Sequence, residues 1–123
     1  MRRHVLSIAV STFNGRYEQL TFARGRRVEL LQALAGQGYQ PVADSQPEEP
    51  VSEQLGTQVT RAIGALASSR RDDVLIVHVL SHGKQDVHSV RAVGSDGITH
   101  ATTAVDHWLS AATDTDAWED PHR

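Results

Sequence analysis

Seven histidines and no cysteine bound the side-chain chemistry this 123-residue chain can offer. One histidine stands out by its setting. His82 lies in Ser81-His82-Gly83, directly after the apolar run Val74-Leu75-Ile76-Val77-His78-Val79-Leu80 that Asp73 opens. The ordinary imidazole pKa lies near neutrality, so a positioned histidine can take and return a proton. Gly83 ends the run and permits a tight turn. The plainer alternative is a histidine that closes a strand with a single hydrogen bond. His78 and His82 share strand parity and His88 follows, three imidazoles of the kind that hold zinc. His78, however, lies inside the apolar run, where a hydrogen-bonded core histidine is the usual occupant. His4, His100, His107 and His122 show no ligand spacing with one another. No metal and no cofactor is expected.

Other pairs carry less. Asp72-Asp73 could suggest acid/base work, but it precedes the strand at the end opposite His82 and reads as part of a connecting turn. Ser81 adjoins His82, yet neighbouring strand residues point to opposite faces and their side chains do not meet readily. No Gly-x-Ser-x-Gly, Walker loop or Gly-x-Gly-x-x-Gly occurs. Arg24-Gly25-Arg26-Arg27 is a basic cluster at a helix start and reads as a solvated face.

The elements that must position His82 follow from periodicity. The run before it lacks polar alternation, the habit of a strand buried on both faces in a parallel sheet. Val5–Val10 reads as a first strand, followed by a polar loop over 11–20 that contains the turn dipeptide Asn14-Gly15. A helix is predicted over 22–35, with Val28, Leu31, Leu34 and Ala35 on one face and Gly36 and Gly38 at its end. A weak strand over 39–43 follows, near an edge because Pro41 cannot donate to a ladder. Beyond a loop over 44–50, a second helix over 52–68 carries the stripe Leu55, Val59, Ile63 and Leu66. Residues 69–72 form a polar connection. After Gly83, residues 88–93 alternate as a hairpin strand, 94–97 form a turn, and Thr102 or Thr103 caps a third helix to Ala112. Residues 113–123 read as a polar linker or disordered tail.

This alternation predicts an α/β fold, a three-layer sandwich with a mostly parallel sheet and right-handed crossovers. The third strand is the most apolar and should be central. No further strand follows the third helix, so the sheet is expected to be incomplete and the strand over 74–80 to form an exposed apolar edge. The expectation is one unit over 1–112 that is the N-terminal part of a larger domain. The net charge of −3 and a pI of about 6.1 suggest neither a nucleic-acid groove nor a polybasic membrane patch. The apolar stretch after Met1-Arg2-Arg3 is too short for a signal-peptide core, so a cytoplasmic location is expected.

These residues carry a resemblance. The chain resembles the N-terminal half of the caspase-like cysteine peptidases of the caspase–hemoglobinase fold, and most closely their bacterial, actinomycete-type members. Val5-Leu6-Ser7-Ile8-Ala9-Val10-Ser11 looks like the family's first strand, and Leu30-Leu31-Gln32-Ala33-Leu34 through Gly38-Tyr39 like its first helix entering the second strand. Asp72 to Val77 followed by Ser81-His82-Gly83 is similar to the strand that delivers the catalytic histidine. Gly94-Ser95-Asp96-Gly97 and the helix around Val105-Asp106-His107-Trp108-Leu109 match its hairpin and third helix. The resemblance implies a cysteine-type endopeptidase acting on a protein or peptide. His82 would be its general acid/base and the Gly83 N–H an oxyanion donor. The family's cysteine ends a fourth strand, and this chain has no cysteine. The resemblance therefore implies a missing C-terminal half as partner and an inactive chain alone. The alternative is a catalytically inactive caspase-like module that binds or regulates. Arg16, Arg24 and Asp96 are charged residues near the expected site without an assigned role.

Overall fold

The computed structural model describes residues 2–42, 49–67, 72–85, 87 and 89–112. Strand β1 (Arg3–Ala9) lies parallel to β2 (Gln40–Pro41) on one side and to β3 (Val74–Leu80) on the other, in the order β2-β1-β3. The β1–β3 register runs from Arg3 opposite Val74 to Ala9 opposite Leu80. Helix α1 (Ala23–Ala35) carries the chain from β1 out to β2, and α2 (Ser52–Ala67) carries it back across to β3. Right-handed crossovers that run in opposite directions put their helices on opposite faces, which makes three layers. Short strands β4 (Gly83–Gln85) and β5 (Val90–Ala92) form an antiparallel hairpin, and a 3-10 turn (Ala101–Thr103) leads into α3 (Val105–Ala112). The fold is the expected α/β sandwich with an incomplete sheet.

The core forms where the α2 stripe meets one face of β1. Leu55, Val59, Ile63 and Leu66 are all buried, as their spacing predicts, and the first three pack with Leu6, Ile8 and Val10. Phe13 and Val93 close the same core. Val51 precedes α2 and has no side-chain acceptor to cap it. Gln54 reaches back to the Val51 N–H at 3.0 Å, and Asp96 arrives from the distant turn to accept from the Ser52 N–H at 3.2 Å and its hydroxyl at 3.3 Å. A long-range carboxylate thus does what a local Ser or Asp ordinarily does.

Several sequence expectations need correction. β1, not β3, is the central strand, because the first crossover moves the chain to one side of β1 and the second to the other. β3 is half-exposed along its whole length rather than buried on both faces. It borders the sheet among the described residues, which is the apolar edge anticipated for an incomplete sheet. Helix α1 turns a different face inward. Val28 is 48% exposed, while Ala23 is buried and Arg27, Leu30, Leu31 and Leu34 are partly covered. Arg27 belongs to the inward row because its Nε donates to the Ser7 carbonyl at 2.7 Å. Gly38, at φ +85°, makes the left-handed turn that ends α1; there the Tyr39 N–H reaches back to the Leu34 carbonyl at 3.0 Å. Gly83 makes no tight turn. It continues as extended backbone into β4, opposite Ala92. Neither Thr102 nor Thr103 directly precedes α3; the Thr103 hydroxyl instead accepts from the His100 N–H at 3.2 Å in the capping box of the 3-10 turn. The His100 side chain caps the 3-10 turn, and α3 starts two residues after it. The expected linker over 113–123 lies outside the described residues, as do most of the loop over 44–50 and of the connection over 69–72. No described helix is long and apolar enough to cross a membrane.

Candidate functional site

His82 sits just past the carboxyl end of β3, where open α/β sheets gather reactive groups. Its ring lies edge-on to Phe13 at 4.8 Å between centroids and 5.1 Å from the Tyr17 ring. Both aromatics come from the loop that follows β1. The His82 Nε2 lies 2.7 Å from the Glu18 carbonyl oxygen. A carbonyl only accepts, so Nε2 carries the hydrogen and Nδ1 of the neutral ring keeps its lone pair. The site therefore holds one imidazole in one tautomer, clamped by two rings and one backbone oxygen.

The loop that does this is tied down along its length. Gln19 donates to the Phe13 carbonyl at 3.1 Å and accepts from the Phe13 N–H at 2.8 Å, one side chain bonded to both backbone groups of one residue. The Leu20 N–H reaches the Ser11 carbonyl at 2.8 Å, and the Asn14 N–H reaches the Ser95 carbonyl at 2.9 Å. Gly97 lies beneath Asn14 at φ +76°, and a Cβ there would collide with the Asn14 carbonyl. The turn over 94–97 thus supports the loop that holds His82, and Asp96 of the same turn caps α2.

Gly83 is positioned by the hairpin. The Val93 N–H donates to the His82 carbonyl at 2.9 Å, so Gly83 and Ala92 form a non-hydrogen-bonded pair. The Gly83 N–H consequently turns away from β5. Ser81 points to the other face, as adjacent strand residues do, and its hydroxyl donates to the Val93 carbonyl. No serine–histidine pair forms there.

The remaining candidates have structural partners. Asp73 accepts from the Arg2 N–H at 2.7 Å and the Arg2 Nε at 3.3 Å, which ties the start of β3 to that of β1. His78 faces Ser7 across the strands, with its Nδ1 3.0 Å from the Ser7 hydroxyl. Burial pushes the His78 pKa below the ordinary histidine value. Among the described residues no three His, Cys, Asp or Glu side chains could hold a metal ion, and His88 lies outside them. Arg24 pairs with Glu49 at 3.2 Å. The Glu49 carboxylate also accepts from the Ser11 hydroxyl and from the N–H groups of Ser11 and Thr12. Burial raises its pKa, but these hydrogen bonds and Arg24 outweigh that and hold it below the usual carboxylate value. Arg16 is exposed on the loop after β1.

Sequence reasoning singled out His82 and did not see what surrounds it. Phe13 and Tyr17 are two of the six aromatic residues in the chain, and both fall in an otherwise polar loop at the carboxyl end of a strand. That concentration was the available signal. Gln19 and the Glu18 carbonyl had none, because a backbone oxygen has no residue type and a loop glutamine is ordinary. No protein-family model matches the chain, and no curated protein matches it either. The chemistry of the site is therefore read from its own geometry.

Proposed function

We propose that this chain is the histidine-bearing part of a caspase-like cysteine-type endopeptidase of the cytoplasm, with His82 as general acid/base and the Gly83 N–H as an oxyanion donor. The observation that carries this reading is the Glu18 carbonyl on the His82 Nε2, which leaves Nδ1 as the base. The direction of the Gly83 N–H and the uncovered edge of β3 support it. None of the 123 residues is a cysteine, so the thiol comes from another segment, delivered by a strand beside β3. Nδ1 then takes the thiol proton, and the thiolate attacks a peptide carbonyl. The Gly83 N–H meets the oxygen that becomes negative, and the imidazolium returns its proton to the leaving amine. Water hydrolyses the thioester and restores the thiol.

The test extends the chain with the coding sequence beyond Arg123. The expected product carries an apolar strand ending in a cysteine, and a thiol-directed peptide inhibitor labels it. His82→Gln abolishes peptide turnover while cooperative unfolding persists. Turnover retained in that variant removes His82 from the mechanism. The absence of any cysteine favours one second reading, a catalytically inactive caspase-like module. For such a module, His82→Gln leaves partner binding unchanged.

A further inference from the structure

The turn that seats α3 is capped by a histidine. The Thr102 N–H at 3.1 Å and the Thr102 hydroxyl at 2.7 Å both reach the His100 Nδ1. A backbone N–H only donates, so Nδ1 carries no hydrogen and the ring is neutral, with its hydrogen on Nε2. The box is closed from the other side by Thr103, whose hydroxyl accepts from the His100 N–H and donates to the His100 carbonyl at 2.9 Å. Serine, threonine, asparagine or aspartate ordinarily caps a helix, and none of them changes its hydrogen-bonding role near neutrality. Histidine does. Thr102 is also where the turn meets two helices. Its carbonyl accepts from the Trp108 Nε1–H at 2.6 Å, which ties α3 to the turn. Its hydroxyl lies over Gly56 of α2, where a Cβ would collide with it. Val105, Trp108 and Leu109 of α3 wall an apolar groove of about 430 Å³ whose floor is Leu75, Val77 and Val79 of β3. None of the eight residues of α3 is buried, so burial of its own side chains does little to hold it.

We propose that His100 is a proton-operated latch on α3. A second proton goes to Nδ1 and turns the acceptor into a donor. The Thr102 hydroxyl can rotate to accept from it, but the Thr102 N–H cannot, so two donors confront each other and the cap opens. The His100 ring is exposed, and the proton reaches it directly from solvent. Thr102 then leaves its place over Gly56, its carbonyl releases Trp108, and α3 lifts from the groove. The bonds belong to the neutral ring, so the latch is closed at alkaline pH and opens as pH falls through the titration of His100. Acidification thereby uncovers Leu75, Val77 and Val79. The other titratable and charged groups on the elements packed against the turn are Glu53 and Arg61 of α2, Arg91 of β5, and Asp106 and His107 of α3. Glu53 lies one turn before Gly56 and shares its row, whereas Arg61 lies off that row. The hydrogen bonds of the His100 ring go to Thr102. The latch does not rest on the peptidase reading and operates whether or not His82 is catalytic.

Hydrogen exchange of the 123-residue chain, followed by NMR from about pH 8 to about pH 5 and expressed as protection factors, tests this, with the His100 ring titrated in the same samples. The expected result is a fall of about fivefold, the worth of one helix cap, in the protection of the Trp108 Nε1–H and the α3 amides as His100 takes its proton. The amides of α2 around Val59 keep theirs. His100→Asn, which keeps a side-chain acceptor that does not titrate, gives α3 protection that is flat over the same range. His78→Gln, which removes the histidine that faces Ser7, leaves the α3 step in place. Protection of α3 that stays constant while His100 titrates overturns the latch. So does a step that persists in His100→Asn, or one that disappears in His78→Gln.

Discussion

Gln19→Ala tests whether the loop after β1 positions His82 or merely adjoins it. Gln19 makes two hydrogen bonds to the Phe13 backbone, at 2.8 and 3.1 Å. At a partly exposed site each contributes about 0.5–1 kcal/mol net, so the variant loses about 1–2 kcal/mol of local order. The consequence that matters is two steps away. Released from its staple, the segment over 13–19 no longer holds the Glu18 carbonyl against the His82 Nε2. That bond favours the Nε2–H tautomer by about 1 kcal/mol, so its loss changes the tautomer ratio roughly fivefold. The assay is long-range proton–nitrogen NMR of the imidazole nitrogens, which tells a protonated ring nitrogen from an unprotonated one. The wild-type ring is expected to give a protonated Nε2 and an unprotonated Nδ1. In Gln19→Ala the two nitrogen shifts move toward each other. Gln19→Glu, which keeps the acceptor and loses the donor, falls between. A wild-type ring protonated on Nδ1 would refute the geometry. An unchanged tautomer in a destabilised Gln19→Ala would leave Gln19 a purely structural residue.

Two other outcomes follow from the same packing. Asp96→Ala removes the carboxylate that caps α2, at a cost of about 1–2 kcal/mol for the cap and about 0.5 kcal/mol for the lost charge at the helix start. Chemical denaturation reads this as a lower midpoint, and an unchanged midpoint rules out the long-range cap. Burial disfavours the charged form of His78, so its folded pKa lies below the ordinary histidine value of 6.5. The unfolded chain therefore binds the proton first as pH falls, and the stability that neutral His78 supports is fully present above pH 6.5 and lost below it. His78→Gln is expected to flatten the stability curve over that acid range, and an unaltered slope would locate the titration elsewhere.

The elements of this fold were largely legible because their signals are local. The Leu55, Val59, Ile63 and Leu66 stripe is a property of one helix, and all four residues are buried. The run over 74–80 is a strand in the structure because seven consecutive residues without turn chemistry leave few alternatives. Pro41 announced an edge strand, and β2 is one. The inward face of α1 was not legible, because one of its members is Arg27, whose partner is a carbonyl twenty residues earlier. Periodicity of apolar residues cannot register a partly covered guanidinium.

The candidate site divides the same way. The sequence by itself determined that a histidine follows an apolar strand and that a glycine follows the histidine. Only the tertiary structure decided what that histidine can do. Phe13, Tyr17 and the Glu18 carbonyl reach His82 across more than sixty positions of chain, and the tautomer they impose depends on a backbone oxygen. Asp96 likewise changed from a charge near the site to the cap of α2 once the turn over 94–97 was packed beside Ser52. The position of β3 in the sheet depended on which side each crossover took. Propensity and periodicity act over a few residues. Strand order, caps supplied from a distance and the protonation of one imidazole are set by contacts between segments that only the folded chain brings together.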